Sequence, residues 1–416
     1  MKIIVVSVGT RGDMEPFLAI GEMLQEKGNR VICVFPEQFR YLAEDSDLDF
    51  ASLGKAYIEL LNSTTGKAVF GGSGSGLRKL LAYLKLAGKS TNIQKELVQK
   101  QYEIIENERP DRIIYNGKAI YPVLRELDHR EKNILISSVP YIHFVRDHAH
   151  LAFNGNYGFF LNRLTYALAD FGLVTTAMVS KRWLKIKKQI SRKQIRDAIS
   201  SRKVIYAISP SLFPRPDYWD EKLQVLGYHQ REKSVNWKPD KALTRFLIKH
   251  DQILFITFGS MTNPDPEKKT RAIIEVLDRN KIPAIINTAS GGLVRPDQYH
   301  SEYILFVSNI PYDWILPRIY GIIHHGGSGT THMGLKYGCA TMIIPHILDQ
   351  FVWNRIVART GAGPAGVRIG NITAKKLEPR ILELMKNGSF KRRAGEIAGQ
   401  MEKEDFRRKL YHTIVG

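Results

Sequence analysis

Cysteine is nearly absent: Cys33 and Cys339 are the two in 416 residues. That excludes a disulfide framework and a four-cysteine zinc site, and a reduced, cytoplasmic setting is the expectation. Long apolar runs are missing too. No stretch of about 18 uncharged apolar residues occurs, so no transmembrane helix is expected. The opening MKIIVVSVGT is too short for a signal peptide and reads as a first strand. The nearest approach to a span, Leu151 to Val179, carries Arg163 and Asp170 and is broken by three asparagines; it reads as loop and helix facing a pocket or core.

Acidic residues are in deficit: 41 Asp and Glu stand against 61 Lys and Arg, a formal charge of +20. Such a surplus suits nucleic acid or an anionic membrane surface. Zinc-finger spacing, an RRM signature and a basic helix-turn-helix are all missing, so no nucleic-acid partner is expected. Between Lys181 and Lys203 there are ten Lys or Arg and one acid, with Trp183, Ile186 and Ile190 at helical spacing. Two readings stay open: an interfacial basic helix that touches an anionic membrane peripherally, or a solvated helix whose stripe packs on its own domain.

The remaining composition is that of a soluble globular protein, 44% hydrophobic and 25% charged, and the length suits two domains of about 200 residues. Strands are predicted at Lys2–Val8, Arg30–Phe35, Arg112–Tyr115 and Asn133–Ile136, with helices at Glu15–Lys27 and Leu77–Asn107, the latter broken at Gly88. After a Pro-rich linker the pattern restarts. Strands follow at Ile253–Phe258, Ala284–Asn287, Ile304–Val307, Gly321–His324 and Thr341–Ile344, with helices near Glu267–Asn280, Gly329–Tyr337, Gln350–Thr360 and Ala374–Lys386. This predicts an α/β chain of two doubly wound, Rossmann-like domains facing across a cleft. The expected divisions are 1–210, a linker at 211–238, 239–400, and a C-terminal helix at 401–416.

Ligands in such sheets sit beyond the carboxyl ends of the strands. There, His325, Gly326 and Gly327 lead into Ser328, Gly329 and Thr330 at a strand-to-helix junction. Glycines let an anion approach the backbone, the helix start offers free N–H groups, and the hydroxyls and imidazole add donors. No lysine follows, so this is not a Walker A loop, nor is it G-x-G-x-x-G. Asp349 and Gln350 follow the next strand at a helix start; the pair suits vicinal sugar hydroxyls, and alone it reads as a cap. Gly88-Lys89-Ser90 ends like a P-loop, but Tyr83 stands where the first glycine is required. Gly71–Gly76 is a flexible loop, either a lid or a plain linker. Asp45, Asp47 and Asp49 form a D-x-D outside the donor half. His143, Asp147, His148 and His150 read as surface or acceptor contacts rather than a metal site.

The run Asn309–Pro364 (NIPYDWILPRIYGIIHHGGSGTTHMGLKYGCATMIIPHILDQFVWNRIVARTGAGP) resembles the donor-binding region of family 1 nucleotide-sugar glycosyltransferases of GT-B fold. Its flavour is that of the sterol glucosyltransferases and antibiotic-aglycone glycosyltransferases. Val8–Phe35 (VGTRGDMEPFLAIGEMLQEKGNRVICVF) resembles the start of the same subgroup, and Phe258–Thr262 (FGSMT) its third motif. The resemblance implies that His325, Gly327, Ser328, Gly329, Thr330 and Ser260 bind the diphosphate. It implies that Asp349 and Gln350 hold the sugar, and that the Ile310 backbone contacts the base. Asn309 and Met333 stand where plant-type relatives carry a tryptophan and a glutamate, and Ser290 where sterol-type relatives often carry a tryptophan.

Asp13 matches the subgroup's general base, with Gly12 and Arg11 shaping its turn and Gly12 counted with the donor site. From spacing alone it could equally be a helix cap, and Arg11 could pair with it. The implied reaction is inverting transfer of a hexose, with glucose the expected sugar, from a UDP-sugar co-substrate to a hydroxyl of a hydrophobic sterol, terpenoid, polyketide or carotenoid. No cofactor and no metal are implied. Acceptor contacts are expected from His143, Phe144, Phe153 and Tyr157. The alternatives are a UDP-sugar epimerase, a lipid-linked cell-wall glycosyltransferase, or a non-catalytic nucleotide-sugar binder.

Overall fold

A computed structural model describes residues 1–63, 76–231, 237–263, 265–289 and 291–416, the side chains at 62 and 76–89 aside. Of the Gly71–Gly76 loop only Gly76 is described, as the start of a helix; Ser290 lies outside the described residues. The chain forms two compact units. The first gathers Met1–Ser63, Tyr83–Arg231 and Asp405–Gly416, and the second is built on Glu232–Glu404.

Unit 1 holds β1 (Lys2–Val6), β2 (Arg30–Phe35), β3 (Asp49–Ser52), β4 (Arg112–Tyr115), β5 (Asn133–Ser137), β6 (Val204–Tyr206) and β7 (Leu223–Val225). They pair in the order β3-β2-β1-β4-β5-β6-β7, every neighbour parallel. Runs such as IIVV and VICVF are buried on both faces, as a helix-covered parallel sheet requires. The order reverses between β1 and β4, so the loops leaving those two strands lie side by side at the switch point. Unit 2 repeats the plan with β8 (Leu254–Thr257), β9 (Ala284–Asn287), β10 (Ile304–Val307), β11 (Gly321–His324) and β12 (Ala340–Ile343). Its order is β10-β9-β8-β11-β12, all parallel, with the switch between β8 and β11.

Several expectations need correction. The first strand ends at Val6, not Val8. The helix Gly76–Glu108 runs unbroken through Gly88; one glycine costs about 1 kcal/mol, too little to stop so long a helix. The 211–238 segment is not simply a linker, because β7 lies within it as the last strand of the unit 1 sheet and unit 1 extends to Arg231. Its three residues, Leu-Gln-Val, are too few to give a periodic signal. Lys181–Lys203 is not one interfacial helix. The Phe159–Trp183 helix ends, a turn follows, and Arg192–Ser201 forms a second helix capped by Ser191. Of the predicted stripe, Ile190 is buried and Trp183 and Ile186 are half-buried; Ile195 and Ile199 of the second helix are buried as well, so this helix packs on its own unit. Conversely, 151–179 does not face the core throughout: Phe160, Leu161, Leu164, Leu168 and Phe171 are exposed.

The tail from Gly388 makes two helices, Gly388–Glu402 and Arg407–Val415. The second places Leu410 and Ile414 in the unit 1 core among Phe17, Leu24, Val31 and Ile114. Arg112 also donates to the Val415 and Gly416 carbonyl oxygens. Leu410 is fully buried, so Leu410→Ala should destabilise unit 1 by about 2–5 kcal/mol. Urea unfolding followed by circular dichroism measures it, and an unchanged midpoint would mean that this helix does not belong to the core.

Candidate active site

The site residues sit on loops whose shape is set by the last residue of each strand. In unit 2, Thr257 ends β8 and its hydroxyl accepts from the Gly259 N–H at 3.1 Å. Asn287 ends β9 and accepts from the Ala289 N–H at 3.2 Å. His324 ends β11 and its Nδ1 accepts from the Gly326 N–H at 3.1 Å. All three side chains are buried. The residue each one holds is left-handed: Gly259 at φ +56°, Ala289 at +33° and Gly326 at +94°. Asn309, two residues past β10, is also left-handed at +56°. Glycine adopts this backbone freely, whereas Ala289 and Asn309 hold it at about 1–3 kcal/mol each, strain of the kind that collects at functional sites.

These turns bring the predicted donor residues together. A Cβ on Gly259 would lie 3.0 Å from the His325 ring, and one on Gly327 would lie 2.5 Å from its Nε2. A Cβ on Gly326 would lie 3.1 Å from the Gln350 Cβ. The loop after β8 with Ser260, the turn after β11, and the helix Leu348–Thr360 therefore meet around His325. Gly327 is the N-cap of the helix Ser328–Lys336, so Ser328, Gly329 and Thr330 carry N–H groups that no helical carbonyl can reach. These residues are partly exposed, whereas Gly321–Gly326 are buried. The helix begins one residue earlier than expected, at Ser328.

His325 is only 8% exposed, and its Nδ1 has no hydrogen-bond partner among the described residues. Burial lowers its pKa from the ordinary imidazole value to about 4, leaving a neutral ring at pH 7. His346 lies 6.5 Å away, centroid to centroid, and packs edge-on against Phe258. Its pKa falls to about 3, through burial first and then the proximity of His325. His332 donates from Nδ1 to the Ser328 carbonyl at 2.8 Å, anchoring the first helical turn, and burial lowers it to about 4. A buried polar atom left without a partner is uncommon and calls for a ligand or water.

Asp349 is partly exposed in the first turn of its helix. Gln350 is 4% exposed, and its Oε1 accepts from the backbone N–H groups of His346 at 2.7 Å and Ile347 at 3.2 Å. Its carbonyl side is thus used to cap the helix, which leaves the amide NH₂ side as the group open to a ligand. Ile310 is buried beside Ile315 and Leu316, with Met333 against the same cluster.

In unit 1, the helix Arg11–Glu26 starts after Thr10. Asp13 is its third residue, not its N-cap, and its Oδ2 reaches back to accept from the Thr10 N–H at 2.8 Å. Gly9, at φ +146°, makes room: a Cβ there would fall 2.1 Å from that oxygen. Gly12 is exposed in the same turn. Arg11 pairs with Glu15 at 3.1 Å rather than with Asp13. The partner of Asp13 is Lys118, whose Nζ lies 2.8 Å from Oδ1.

Lys118 comes from the loop after β4, across the switch point. Asn116 sets that loop, accepting from the Lys118 N–H at 3.2 Å and donating to the Ser7 hydroxyl and Val8 carbonyl after β1. Ser7 in turn donates to the Asp13 carbonyl at 2.8 Å. Tyr57 lies within electrostatic reach of both charges, and burial raises its phenol. Sequence reasoning missed Lys118 and Tyr57. The one signal for Lys118 was its place just after a predicted strand.

The expected acceptor residues divide. His143 Nδ1 is 2.7 Å from the Tyr206 hydroxyl, and Phe144 packs edge-on against Phe159 and Tyr166. Phe153 and Tyr157 stand apart in an exposed turn, where the Tyr157 hydroxyl donates to the Phe153 carbonyl. His148 stacks on Tyr141 and donates to the Ala149 carbonyl, and His150 accepts from the Ala152 N–H.

Residues 3–120 match the model of the glycosyltransferase family 28 N-terminal domain, and residues 297–407 match that of the erythromycin biosynthesis protein CIII-like C-terminal domain. The chain has the GT-B fold. Over 97% of its length it is 28% identical to sterol 3-beta-glucosyltransferase UGT80A2 of Arabidopsis thaliana, covering 64% of that protein. It is 26% identical to sterol 3-beta-glucosyltransferase of Yarrowia lipolytica over 97% of the chain and 28% of the relative. The chain thus spans under two thirds of these relatives' own lengths. Among solved structures, the calicheamicin glycosyltransferase CalG4 aligns with a TM-score of 0.70 at 14% identity, over 99% of this chain and 97% of that one. The spinosyn rhamnosyltransferase SpnG complexed with thymidine diphosphate aligns with a TM-score of 0.66 at 15% identity, over the whole of both chains. The two doubly wound sheets expected from the sequence are the fold observed.

The buried histidines give the chain a pH signature. His325, His332 and His346 are neutral when folded down to about pH 4, 4 and 3. In the unfolded chain they take up protons near pH 6.5, so stability is full above that value and is lost as pH falls through the folded values. Thermal melts should be flat from pH 8 to 7 and then decline, at about 1.4 kcal/mol per pH unit for each histidine. A melting temperature that holds constant down to pH 4 would mean that these rings are not buried neutral.

Proposed function

We propose that this chain is an inverting O-glycosyltransferase. It moves a hexose, with glucose the expected sugar, from a UDP-sugar to a hydroxyl of a sterol or similarly hydrophobic acceptor. The observation that carries the reading is the buried, unpartnered Nδ1 of His325 beside the free N–H groups of Ser328, Gly329 and Thr330. Such a convergence of donors suits a diphosphate. The sterol acceptor and glucose are supported by the names of the curated relatives.

In this reading, His325, Ser260, Gly327, Ser328, Gly329 and Thr330 hold the diphosphate. Gly12 gives the donor room at the first helical turn, Asp349 and the Gln350 amide hold sugar hydroxyls, and the Ile310 backbone meets the base. Asp13 accepts the proton of the acceptor hydroxyl as that oxygen forms its bond to the anomeric carbon. The bond from that carbon to the diphosphate breaks on the opposite face, its electron pair leaves with the nucleotide, and the configuration inverts. A carboxylate is a weak base for an alcohol, so the proton moves late and the reaction leans on the donors that receive the leaving group. His143, Phe144, Phe153 and Tyr157 are assigned to the acceptor. No cofactor or metal enters the scheme. The hydrophobic acceptor makes a membrane surface a natural source of substrate.

Nucleotide release from UDP- and TDP-sugars, with and without a pool of hydrophobic alcohols, tests this. UDP-glucose turnover should rise with acceptor and fall by about 10²–10⁴-fold in Asp13→Asn, with donor binding kept. Release without acceptor would assign epimerase or hydrolase chemistry, and UDP binding that Asp13→Asn leaves intact with no turnover in the wild type would assign a binder.

Lys118 holds the base in place. Lys118→Met should lower kcat by roughly 10–100-fold, as a misplaced catalytic group does. Its ion pair is half-exposed, so the same change should move stability by less than about 1 kcal/mol. Lys118→Arg should restore part of the rate. Equal rates for Met and wild type would remove Lys118 from the mechanism.

A further inference from the structure

One face of the Phe159–Trp183 helix is apolar and bare. Phe160 is 84% exposed, Phe171 58%, and Leu161, Leu164 and Leu168 each about half. Positions 160, 164, 168 and 171 follow helical spacing, so they form one stripe about 16 Å long. The opposite side of the helix, with Asn162, Thr165, Tyr166, Val174 and Ala177, is buried in unit 1. Five large apolar side chains in a continuous exposed row mark an interaction surface rather than scattered surface residues.

The charge beside the stripe is positive. The Arg192 guanidinium, from the Arg192–Ser201 helix, lies 5.5 Å from the centre of the Phe171 ring and donates to the Thr175 hydroxyl at 3.4 Å. Lys193 and Arg196 on the same helix are exposed, as is Arg182 in the last turn of the Phe159–Trp183 helix. Arg163 and Asp170, the charges within the apolar stretch, fall off the stripe by helical spacing.

We propose that this stripe is a docking face for an anionic phospholipid bilayer, lying in the interface with its apolar row among the acyl chains and Arg192, Lys193 and Arg196 at the headgroups. The combination of an apolar row with a basic border is what such a surface selects. A second copy of the chain fits poorly, because a two-fold contact would bring the same basic border against itself. The face deepens the hydrophobic-acceptor reading, on which its purpose rests, by giving the chain access to a substrate that partitions into membrane. The binding itself is read without turnover, so either inference can fail while the other stands.

The test is co-sedimentation of the full chain with phosphatidylcholine vesicles, with and without about a third phosphatidylserine, at low and high salt. Wild type should prefer the anionic vesicles by about tenfold or more at low salt. Leu164→Gln, Leu168→Gln and Phe171→Gln combined should lose about tenfold at both salt levels, because buried apolar area supplies part of the binding. Glutamine keeps helix propensity, so circular dichroism should match wild type. Arg192→Glu with Lys193→Glu should weaken binding at low salt only. Phe160→Trp adds a second readout, an extra blue-shifted emission when anionic vesicles are present. Wild type that ignores the vesicles, or a glutamine variant that binds like wild type, overturns the proposal. A wild-type dimer in light scattering that the glutamine variant splits overturns it in favour of a second copy.

Discussion

The loops that carry the chemistry depend on one small device: a buried polar side chain at the end of a strand that accepts the N–H two residues on. Thr257, Asn287 and His324 do this in unit 2, and Ser137 does it in unit 1 toward Val139. Asn116, one residue past β4, does it toward Lys118. A buried acceptor must be satisfied, and the nearest donor is the chain's own next turn. Satisfying it bends the backbone sharply out of the sheet, through a left-handed residue at Gly259, Ala289 and Gly326. The strain is offset by a hydrogen bond shielded from water. The result is a set of exits stiff enough to hold donors in place without a ligand, which is what electrostatic stabilisation of a leaving group requires.

The two switch points use these exits differently. In unit 2 the turns after β8 and β11 converge on a buried, neutral imidazole and a helix start. In unit 1 the turns after β1 and β4 bring opposite charges together, Asp13 and Lys118, in a half-exposed pair. The first environment presents donors. The second keeps a carboxylate oriented, with Oδ2 tied to the Thr10 N–H and Oδ1 facing the ammonium.

The sheet and most of its strands were legible because doubly buried strands read as unbroken apolar runs of Ile and Val. The turn at His325–Thr330 was legible as a strand-to-helix junction because its glycines and hydroxyls cluster between an apolar run and a helical pattern. Lys118 was not, since its meeting with Asp13 is made by the pairing of β1 with β4, which brings together residues far apart in sequence. β7 escaped notice because a three-residue strand has no periodicity, and Gly88 was given more power to break a helix than one glycine has. Apolar residues at helical spacing cannot reveal whether their face is covered, so the 151–179 stretch read as facing a pocket or core and the Trp183, Ile186 and Ile190 stripe stayed open between membrane and core. Burial exposes much of the first and covers Ile190 of the second. Gln350 joined two roles that spacing sets against each other, capping with its carbonyl while presenting its amide.

Unit 1 draws Leu410 and Ile414 into a core otherwise built before residue 232. During synthesis, its sheet and first helix emerge while the helix that seals them still lies more than 170 residues of growing chain away. At ordinary translation speeds that leaves an apolar groove beside the first helix and β4 open for roughly ten to thirty seconds. The intervening stretch Glu232–Glu404, which carries all five strands of the unit 2 sheet, can close in that interval. The order of birth and the order of completion are therefore reversed, and the half of the molecule that is made first is the half that most needs protection from aggregation on the ribosome.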